Sequence, residues 1–326
     1  MSSHAALHFP HSRVLLARTR LAYVHLRNLL TDAKRDRGAR ISGYVAVSQL
    51  DELILFYLLN GEVANASLTD ARGSRAISIA SAIEKVPHEP EYGECCFHEA
   101  APEELACIFA SRTVAPDPWP SGMDAADPTV LFPHLAATTF DGFVEIIAND
   151  HANYLVLKNG AVAKAFLTTP AMGTVVERVS KLFNREGRIG DLRVARWARP
   201  LPVPVQAPHA LVQAYRDLVR ALITRVTERG QEDASAIAEH ARQMLATQHP
   251  VLESFSVSRH AVAPPDPVAD TRELTGGVAA WIREVLWTAK GPDGEPPEDL
   301  FRELTYERRH IFQSAGLFDQ MPWKVV

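Results

Sequence analysis

The sequence predicts an α+β protein in which two tandem repeats of a small antiparallel-sheet-plus-helix module are followed by an all-helical C-terminal domain. Three observations predict this fold class. Two segments lying 99 residues apart resemble each other, each carries an Asn-Gly pair typical of a hairpin turn, and the last third of the chain has apolar residues at helical spacing.

The internal repeat relates residues 43–69 to residues 142–168. The two segments align without a gap and are identical at 11 of 27 positions. Unrelated sequences of average composition would share about one position in fifteen. The excess predicts that one segment arose by duplication of the other.

Each copy predicts a three-stranded antiparallel meander. A β-rich opening leads to a polar stretch around Asp51 or Asp150, then to an apolar run, an Asn-Gly pair and a returning β-type run. Asn-Gly at 60–61 and at 159–160 favours a tight hairpin, because both central residues of such a turn need positive φ angles.

The sequence around each meander predicts a short helix before it, and a helix and a closing strand after it. The helices are expected at 26–33, 74–86, 131–136 and 174–183, and the closing strands at 94–98 and 189–195. Two proline-rich stretches predict linkers between domains. The predicted organisation is a first module at 12–113, a linker at 114–128, a second module at 129–198, a linker at 199–208 and a helical domain at 209–326.

The helical domain is predicted to contain four helices. Leu211, Tyr215 and Leu218 mark the first, and a second lies around residues 237–245. Asp270 with Glu273 caps the third, and Pro297 begins a fourth that continues past Arg308 and Ile311. Adjacent glycines at 276–277 inside the third helix indicate close helix packing rather than a phosphate-binding loop.

A family resemblance rests on the order of these motifs. A short helix, SGYVAV, an apolar strand, NGEVANASL, a helix and a closing strand together resemble the PatA N-terminal domain family. The resemblance covers about residues 23–100 and again about residues 130–195. It implies a role beside bacterial response regulators and other signalling parts, in a family without an established enzymatic activity.

Two clusters contain potential metal ligands. Residues 88–99 include Cys95, Cys96 and His98, but adjacent cysteines on a strand point to opposite faces and do not easily chelate one ion. The second cluster lies in the N-terminal tail and consists of His4, His8 and His11. Buried cysteines and a mobile tail are the simpler interpretations, so no metal and no cofactor are expected.

Composition and motifs exclude several classes of function. The net charge is −5 and the pI is near 6.2, without the basic footprint of a nucleic-acid-binding protein. No run approaches the roughly 18 apolar residues of a membrane helix, and three cysteines do not make a disulfide framework. Because no P-loop, G-x-S-x-G or H-E-x-x-H motif occurs, a cytoplasmic protein that is not an enzyme is expected.

The C-terminal region carries the candidate interaction residues. Phe318 and Trp323 belong to an apolar tail at 317–326, which is expected to dock on the helical domain or on a partner. Arg308 and Arg309 could contact an acidic partner, although a solvated helix face is the simpler interpretation.

These features favour a non-catalytic scaffold or signalling adaptor that acts through another protein or through self-association. The alternative is a small-molecule or nucleotide sensor with a site between the two modules. A polar pocket with convergent charges would favour the sensor, and a flat apolar outer patch would favour the adaptor.

Overall fold

The structure, a computed structural model, describes residues 7–35, 40–87, 92–169, 172–184, 191–199, 202–228, 233–257, 264–288 and 296–323. The fold is mixed α+β, with two antiparallel sheets towards the N-terminus and mostly helices towards the C-terminus. The chain divides into two compact units. Unit 1 comprises Met1–Ile77 and Ala82–Pro204, and unit 2 comprises Ser78–Ser81 and Val205–Val326.

Up to residue 197 the chain forms strands and short helices. In chain order they are β1 (Arg13–Arg20), α1 (Leu26–Arg35), β2 (Gly43–Gln49), β3 (Glu52–Leu59), β4 (Glu62–Asp70), β5 (Gly73–Ile77), α2 (Ile79–Glu84), β6 (Glu94–Glu99), α3 (Pro102–Thr113), α4 (Pro128–Ala137), β7 (Gly142–Ala148), β8 (His151–Lys158), β9 (Ala161–Phe166), α5 (Val175–Leu182) and β10 (Arg193–Trp197). Sheet 1 has the strand order β1-β6-β2-β3-β4-β5, and sheet 2 has the order β10-β7-β8-β9.

The two meanders have the same strand register, displaced by 99 residues. Gly43 pairs with Leu58 between β2 and β3, and Gly142 pairs with Leu157 between β7 and β8. The next pairing shifts after Tyr57 in sheet 1 and after Val156 in sheet 2. The closing strands β6 and β10 also lie beside the equivalent strands β2 and β7, although β6 is flanked by β1 on its other side and β10 is an edge strand.

The hairpin turns follow from local backbone preferences. Asn60 and Asn159 have φ angles of 52° and 49°, and the glycine after each also has a positive φ. Asparagine and glycine adopt this region more readily than other residues, so each Asn-Gly pair reverses the chain between an apolar strand and its neighbour.

Gly43 and Gly142 begin β2 and β7 where the backbone of the closing strand comes very close. A β-carbon on Gly43 would lie 2.1 Å from the carbonyl oxygen of His98, and one on Gly142 would lie 2.1 Å from that of Trp197. Real β-carbons do not come this close to backbone atoms, so both strand starts require glycine.

One hydrophobic core lies between the two sheets. Tyr44, Leu55 and Tyr57 of sheet 1 belong to the same buried cluster as Phe143 and Tyr154 of sheet 2. Helix α3 belongs to this cluster as well, with the buried residues Leu105, Ile108 and Phe109. The opposite face of sheet 2 packs against α4 and α5, so β7 and β8 are buried on both sides.

A buried polar network crosses the shared core. Arg112 at the end of α3 donates a hydrogen bond to Glu145 of β7, and both residues are buried. The Tyr154 hydroxyl, across from Glu145 on β8, donates to the same carboxylate at 2.9 Å and lies 3.0 Å from the Ser111 hydroxyl. Burial raises the pKa of Tyr154 well above its ordinary value, so its hydroxyl remains a donor at neutral pH.

Unit 2 is a helical assembly with its own core. Its helices are α6 (His209–Glu228), α7 (Ala234–Ala246), α8 (Val251–Ser254), α9 (Thr271–Thr288), α10 (Pro297–Thr305) and α11 (Arg309–Ser314). Asp270 caps α9 as predicted, because its Oδ1 accepts from the Glu273 amide at 2.7 Å. A β-carbon on Gly277 would lie 2.7 Å from a Val251 methyl, in agreement with the predicted close packing.

The helix predicted at 74–86 is wrong in its first part, because Gly73–Ile77 forms strand β5 and the helix covers only Ile79–Glu84. The Asp70 carboxylate explains the difference. It accepts from the Arg72 amide at 2.9 Å and receives both terminal nitrogens of Arg75, which turns the chain back along β4 as a hairpin.

The fourth predicted helix is also wrong, because it is interrupted between Thr305 and Arg309. Arg308 has φ −114° and ψ 22°, outside the helical region, and it precedes α11 rather than lying on a continuous helix. Strand β1 and helix α3 were not predicted. The second closing strand spans Arg193–Trp197, and the first residues predicted for it, 189–190, lie outside the described part of the chain.

We expect Gly43→Ala and Gly142→Ala each to lower the free energy of unfolding of unit 1 by about 1–3 kcal/mol, because the added methyl overlaps a strand carbonyl. Urea unfolding followed by circular dichroism measures the change. Gly276→Ala in α9 is the control, since a β-carbon there meets no atom within 4 Å and the helix gains up to about 1 kcal/mol. Unchanged stability in either strand variant would contradict the close approach.

We expect Glu145→Gln to destabilise unit 1 by about 3–5 kcal/mol, because it leaves the Arg112 charge buried without its partner. The double variant Arg112→Met/Glu145→Met should lose less, since no unpaired charge remains. Denaturant unfolding of the three proteins measures the difference. A double variant less stable than Glu145→Gln would show that the ion pair contributes mainly through its own attraction.

Candidate ligand-binding cavity

A cavity of about 280 Å³ lies in unit 1 beside the shared core. Its floor is one face of sheet 1, formed by alternate residues of β2 and β6. Three cross-strand pairs make this floor, because the register places Tyr44 opposite His98, Ala46 opposite Cys96 and Ser48 opposite Glu94. Alternation along a strand sends every second side chain to the same face, which brings these six residues together.

An N-terminal segment, residues 7–12, forms another wall of the cavity and connects the two sheets. We call it the N-terminal strap. The His8 amide donates to the Asp150 carbonyl at 2.8 Å, and the His8 carbonyl accepts from the Ala152 amide at 2.8 Å. The Ser12 amide then donates to the Glu99 carbonyl on β6 at 2.9 Å.

Buried residues hold the strap in place. Leu7 and Phe9 are buried in the shared core, and the Tyr44 hydroxyl donates to the Phe9 carbonyl at 3.0 Å. The strap therefore joins β8 to β6 while its histidines remain at the exposed side of the cavity.

Four histidine rings line the cavity in two pairs. The rings of His8 and His151 stack with their centroids 4.8 Å apart. The rings of His11 and His98 lie 4.1 Å apart, and the Tyr44 ring stacks on His98 at 5.3 Å. Because the Phe9 carbonyl can only accept, its 3.3 Å contact with His11 Nδ1 requires that nitrogen to carry the proton.

The electrostatics of the cavity favour neutral side chains. Burial, together with the nearby His11, His8 and Arg18, lowers the pKa of His98 to about 4. Burial also lowers the pKa of His8 and raises the pKa of the Cys96 thiol. At neutral pH, His98 is therefore an uncharged imidazole and Cys96 is a protonated thiol rather than a reactive thiolate.

His98 Nδ1 is the distinctive polar atom of the site. It is buried and has no hydrogen-bond partner within the described part of the chain. Buried polar atoms usually have partners. Because this atom has almost no accessible surface, neighbouring atoms shield it from the cavity, and a ligand can reach the His98 imidazole only through its other atoms.

Among the described residues, no three His, Cys, Asp or Glu side chains are placed to hold one metal ion. The cavity still brings together His8 and His11 from one sequence cluster with Cys96 and His98 from the other. His4 and residues 88–91 lie outside the described residues.

The four residues predicted for interaction all lie in unit 2 and contact residues of the same unit. Arg308 donates to Asp217 at 2.6 Å, and the Arg309 guanidinium lies 6.0 Å from the centre of the Phe318 ring. Phe318 and Trp323 both pack edge-to-face against Phe301. The described part of the tail therefore docks on the helical core, and a role of these residues in binding a partner stays a prediction.

Sequence reasoning missed the cavity because it missed strand β1, the strap and the contact of His8 with His151. A usable signal was present in β6. Along this strand, Glu94, Cys96 and His98 occupy every second position and alternate with buried residues. The pattern predicts that these three side chains share one face of the strand.

We expect acid to destabilise unit 1 between pH 6.5 and pH 4 through His98. Its pKa is about 4 in the folded protein against an ordinary value of 6.5, so the unfolded chain binds the proton more tightly. Stability is therefore fully present above pH 6.5 and is lost as the pH falls through this window.

Calorimetry at pH 5 and pH 7 tests this expectation. His98→Phe keeps a ring but cannot titrate, so its unfolding midpoint should fall less on acidification than that of the wild type. His310→Phe, at an exposed position on α11, is the matched control and should keep the wild-type dependence. Equal pH dependence in wild type and His98→Phe would contradict the assignment.

No helix in the described residues is long and apolar enough to cross a membrane. No family model, no curated protein and no solved structure matches this chain. The cavity and its chemistry are therefore the basis on which a function is proposed.

Proposed function

We propose that this protein is a non-catalytic small-molecule sensor that binds its ligand in the histidine-lined cavity of unit 1. The observation that carries the proposal is the 280 Å³ cavity itself, to which both sheets and the strap contribute, with four histidine rings among its described lining residues.

The cavity supports the sensor, which the sequence placed second to the adaptor, although the cavity is mostly apolar and its described lining lacks the convergent charges expected of a sensor pocket. It combines a mostly apolar wall with a few polar groups, including the Arg18–Glu94 ion pair, as small-molecule sites commonly do. It also lies where both sheets and the strap contribute side chains. A ligand there would contact both modules. Its binding would therefore affect the stability of both sheets of unit 1.

An adaptor role remains the second element of the proposal, since a sensor must pass its signal to a partner. The resemblance to the PatA N-terminal domain family supports a bacterial signalling context for such a partner. The cytoplasmic location and the absence of nucleic-acid binding also stay predictions from the sequence.

We also propose that the two meanders are a duplicated module. Three structural features recur 99 residues apart and support this proposal. They are the strand registers of β2–β3 and β7–β8, the register shifts after Tyr57 and Val156, and the glycines packed against the closing strands. Module 2 would then supply His151 to a cavity whose floor belongs to module 1.

A fragment screen tests the sensor function. We expect at least one small organic compound to raise the unfolding midpoint of unit 1 and to move the histidine ring signals in NMR spectra of the full chain. A ligand at a hundred times its dissociation constant stabilises the folded state by about 2.7 kcal/mol. A screen in which no compound moves these signals would refute a ligand site in the cavity.

Cavity-filling variants localise the binding. Ala46→Leu and Cys96→Leu place extra carbons on the cavity floor and should abolish the response to the fragment. Ala161→Leu is the matched control, because Ala161 is exposed on β9, away from the cavity. Binding that survives both floor variants would place the ligand elsewhere.

A further inference from the structure

The side chains on the cavity floor differ in size and polarity from one end of the cavity to the other. Tyr44 and His98 supply rings at one end, Ala46 and Cys96 leave a hollow in the middle, and Ser48 and Glu94 supply polar groups at the other end. The small middle pair is what makes room for a ligand. A molecule in the hollow therefore has aromatic groups at one end and hydrogen-bonding groups at the other.

Rings form much of the wall beside this hollow, next to the aliphatic side chains of Leu7, Val14 and Ala17. His98 is in contact with His11 on one side and with Tyr44 on the other, and the His8–His151 pair lines the same cavity. Aromatic rings prefer offset-stacked or edge-to-face contacts with other rings. This lining favours a flat aromatic ligand over a flexible aliphatic one.

Charge complementarity argues against an ionic ligand. Arg18 is the one Lys or Arg among the described residues that line the cavity, and its Nε already lies 3.2 Å from Glu94 Oε2. The imidazole of His98 is neutral at physiological pH, and so is the Cys96 thiol. An anionic ligand would find no unpaired Lys or Arg among the described lining residues, and burying it would carry a large desolvation cost.

The hydrogen-bonding groups need a ligand that both donates and accepts. A neutral imidazole has one donor and one acceptor nitrogen, and the Ser48 hydroxyl can do either. A volume of about 280 Å³ is at the lower end of the roughly 300–1,000 Å³ of ligand pockets, which excludes bulky compounds.

We propose that the cavity binds a small, neutral, planar heteroaromatic compound of nucleobase size, with one edge hydrogen-bonded to His98. This inference rests on the proposed sensor function and narrows it to one ligand class. Free bases fit the volume, the rings and the neutral polar atoms. The corresponding nucleotides do not, because their phosphates add charge and bulk.

Four probes of three chemical kinds test the ligand class on the full chain: adenine and uracil as neutral heterocycles, adenosine monophosphate as an anion with the adenine ring, and hexanoate as an aliphatic anion. NMR of isotope-labelled histidine rings measures binding at the cavity. We expect adenine or uracil to shift the His98 and His11 signals in a saturable way, and the two anions to leave them unchanged.

His98→Phe separates hydrogen bonding from stacking, because it keeps an aromatic ring and removes both nitrogens. We expect it to weaken binding of the heterocycle at least tenfold, while Ala161→Leu leaves the affinity unchanged. Circular dichroism at pH 7 checks that the variant keeps its fold. His98→Gln, which restores hydrogen-bonding atoms without the ring, should recover part of the affinity if the phenylalanine variant folds poorly.

The outcomes separate the ligand class from the broader function. If hexanoate or adenosine monophosphate binds in the cavity and the heterocycles do not, the ligand class is wrong while a small-molecule function stands. If the heterocycles leave the ring signals unchanged and the fragment screen finds no ligand, both proposals fail. Undiminished heterocycle binding in His98→Phe would also overturn the proposed role of His98.

Discussion

The packing of the two sheets of unit 1 against a single hydrophobic core is the constraint on which the rest of the unit depends. The Arg112–Glu145 ion pair lies inside this core, where its polar atoms need further hydrogen-bond partners. The Tyr154 hydroxyl donates to Glu145 and is itself within hydrogen-bond distance of the Ser111 hydroxyl. A buried ion pair adds little to stability by itself, but it disfavours arrangements that separate its members. The pair thereby fixes how α3 is placed along sheet 2.

The meanders could be predicted from the sequence because their signals are local. Asn-Gly at 60–61 and 159–160 determines the turns, and alternation determines the faces. Strand β1 gives no such signal, since it is an exposed edge strand without alternating burial. Helix α3 is buried from Glu104 to Ala110 almost all round, so it lacks the amphipathic periodicity from which helices are recognised.

The cavity was beyond prediction for a different reason. His8 and His11 lie near the N-terminus, His98 is on β6 and His151 begins β8, so only long-range strand pairing brings them together. The sequence pointed to His8, His11 and His98 but not to His151, because the pairing partner of a strand is set by packing and not by its own residues. Sequence patterns identified candidate side chains without showing that they share one site.

The N-terminal strap has a consequence for the order of folding during synthesis. His8 bonds to the main chain at Asp150 and Ala152, which the ribosome adds more than a hundred residues later. At about 5–20 residues per second, the strap waits on the order of ten seconds for its partners to emerge. Sheet 1 can pair within itself sooner, since β6 ends at Glu99. The wall that completes the cavity therefore closes well after sheet 1 has paired, and a nascent chain stalled before residue 150 exposes Leu7 and Phe9 to chaperones.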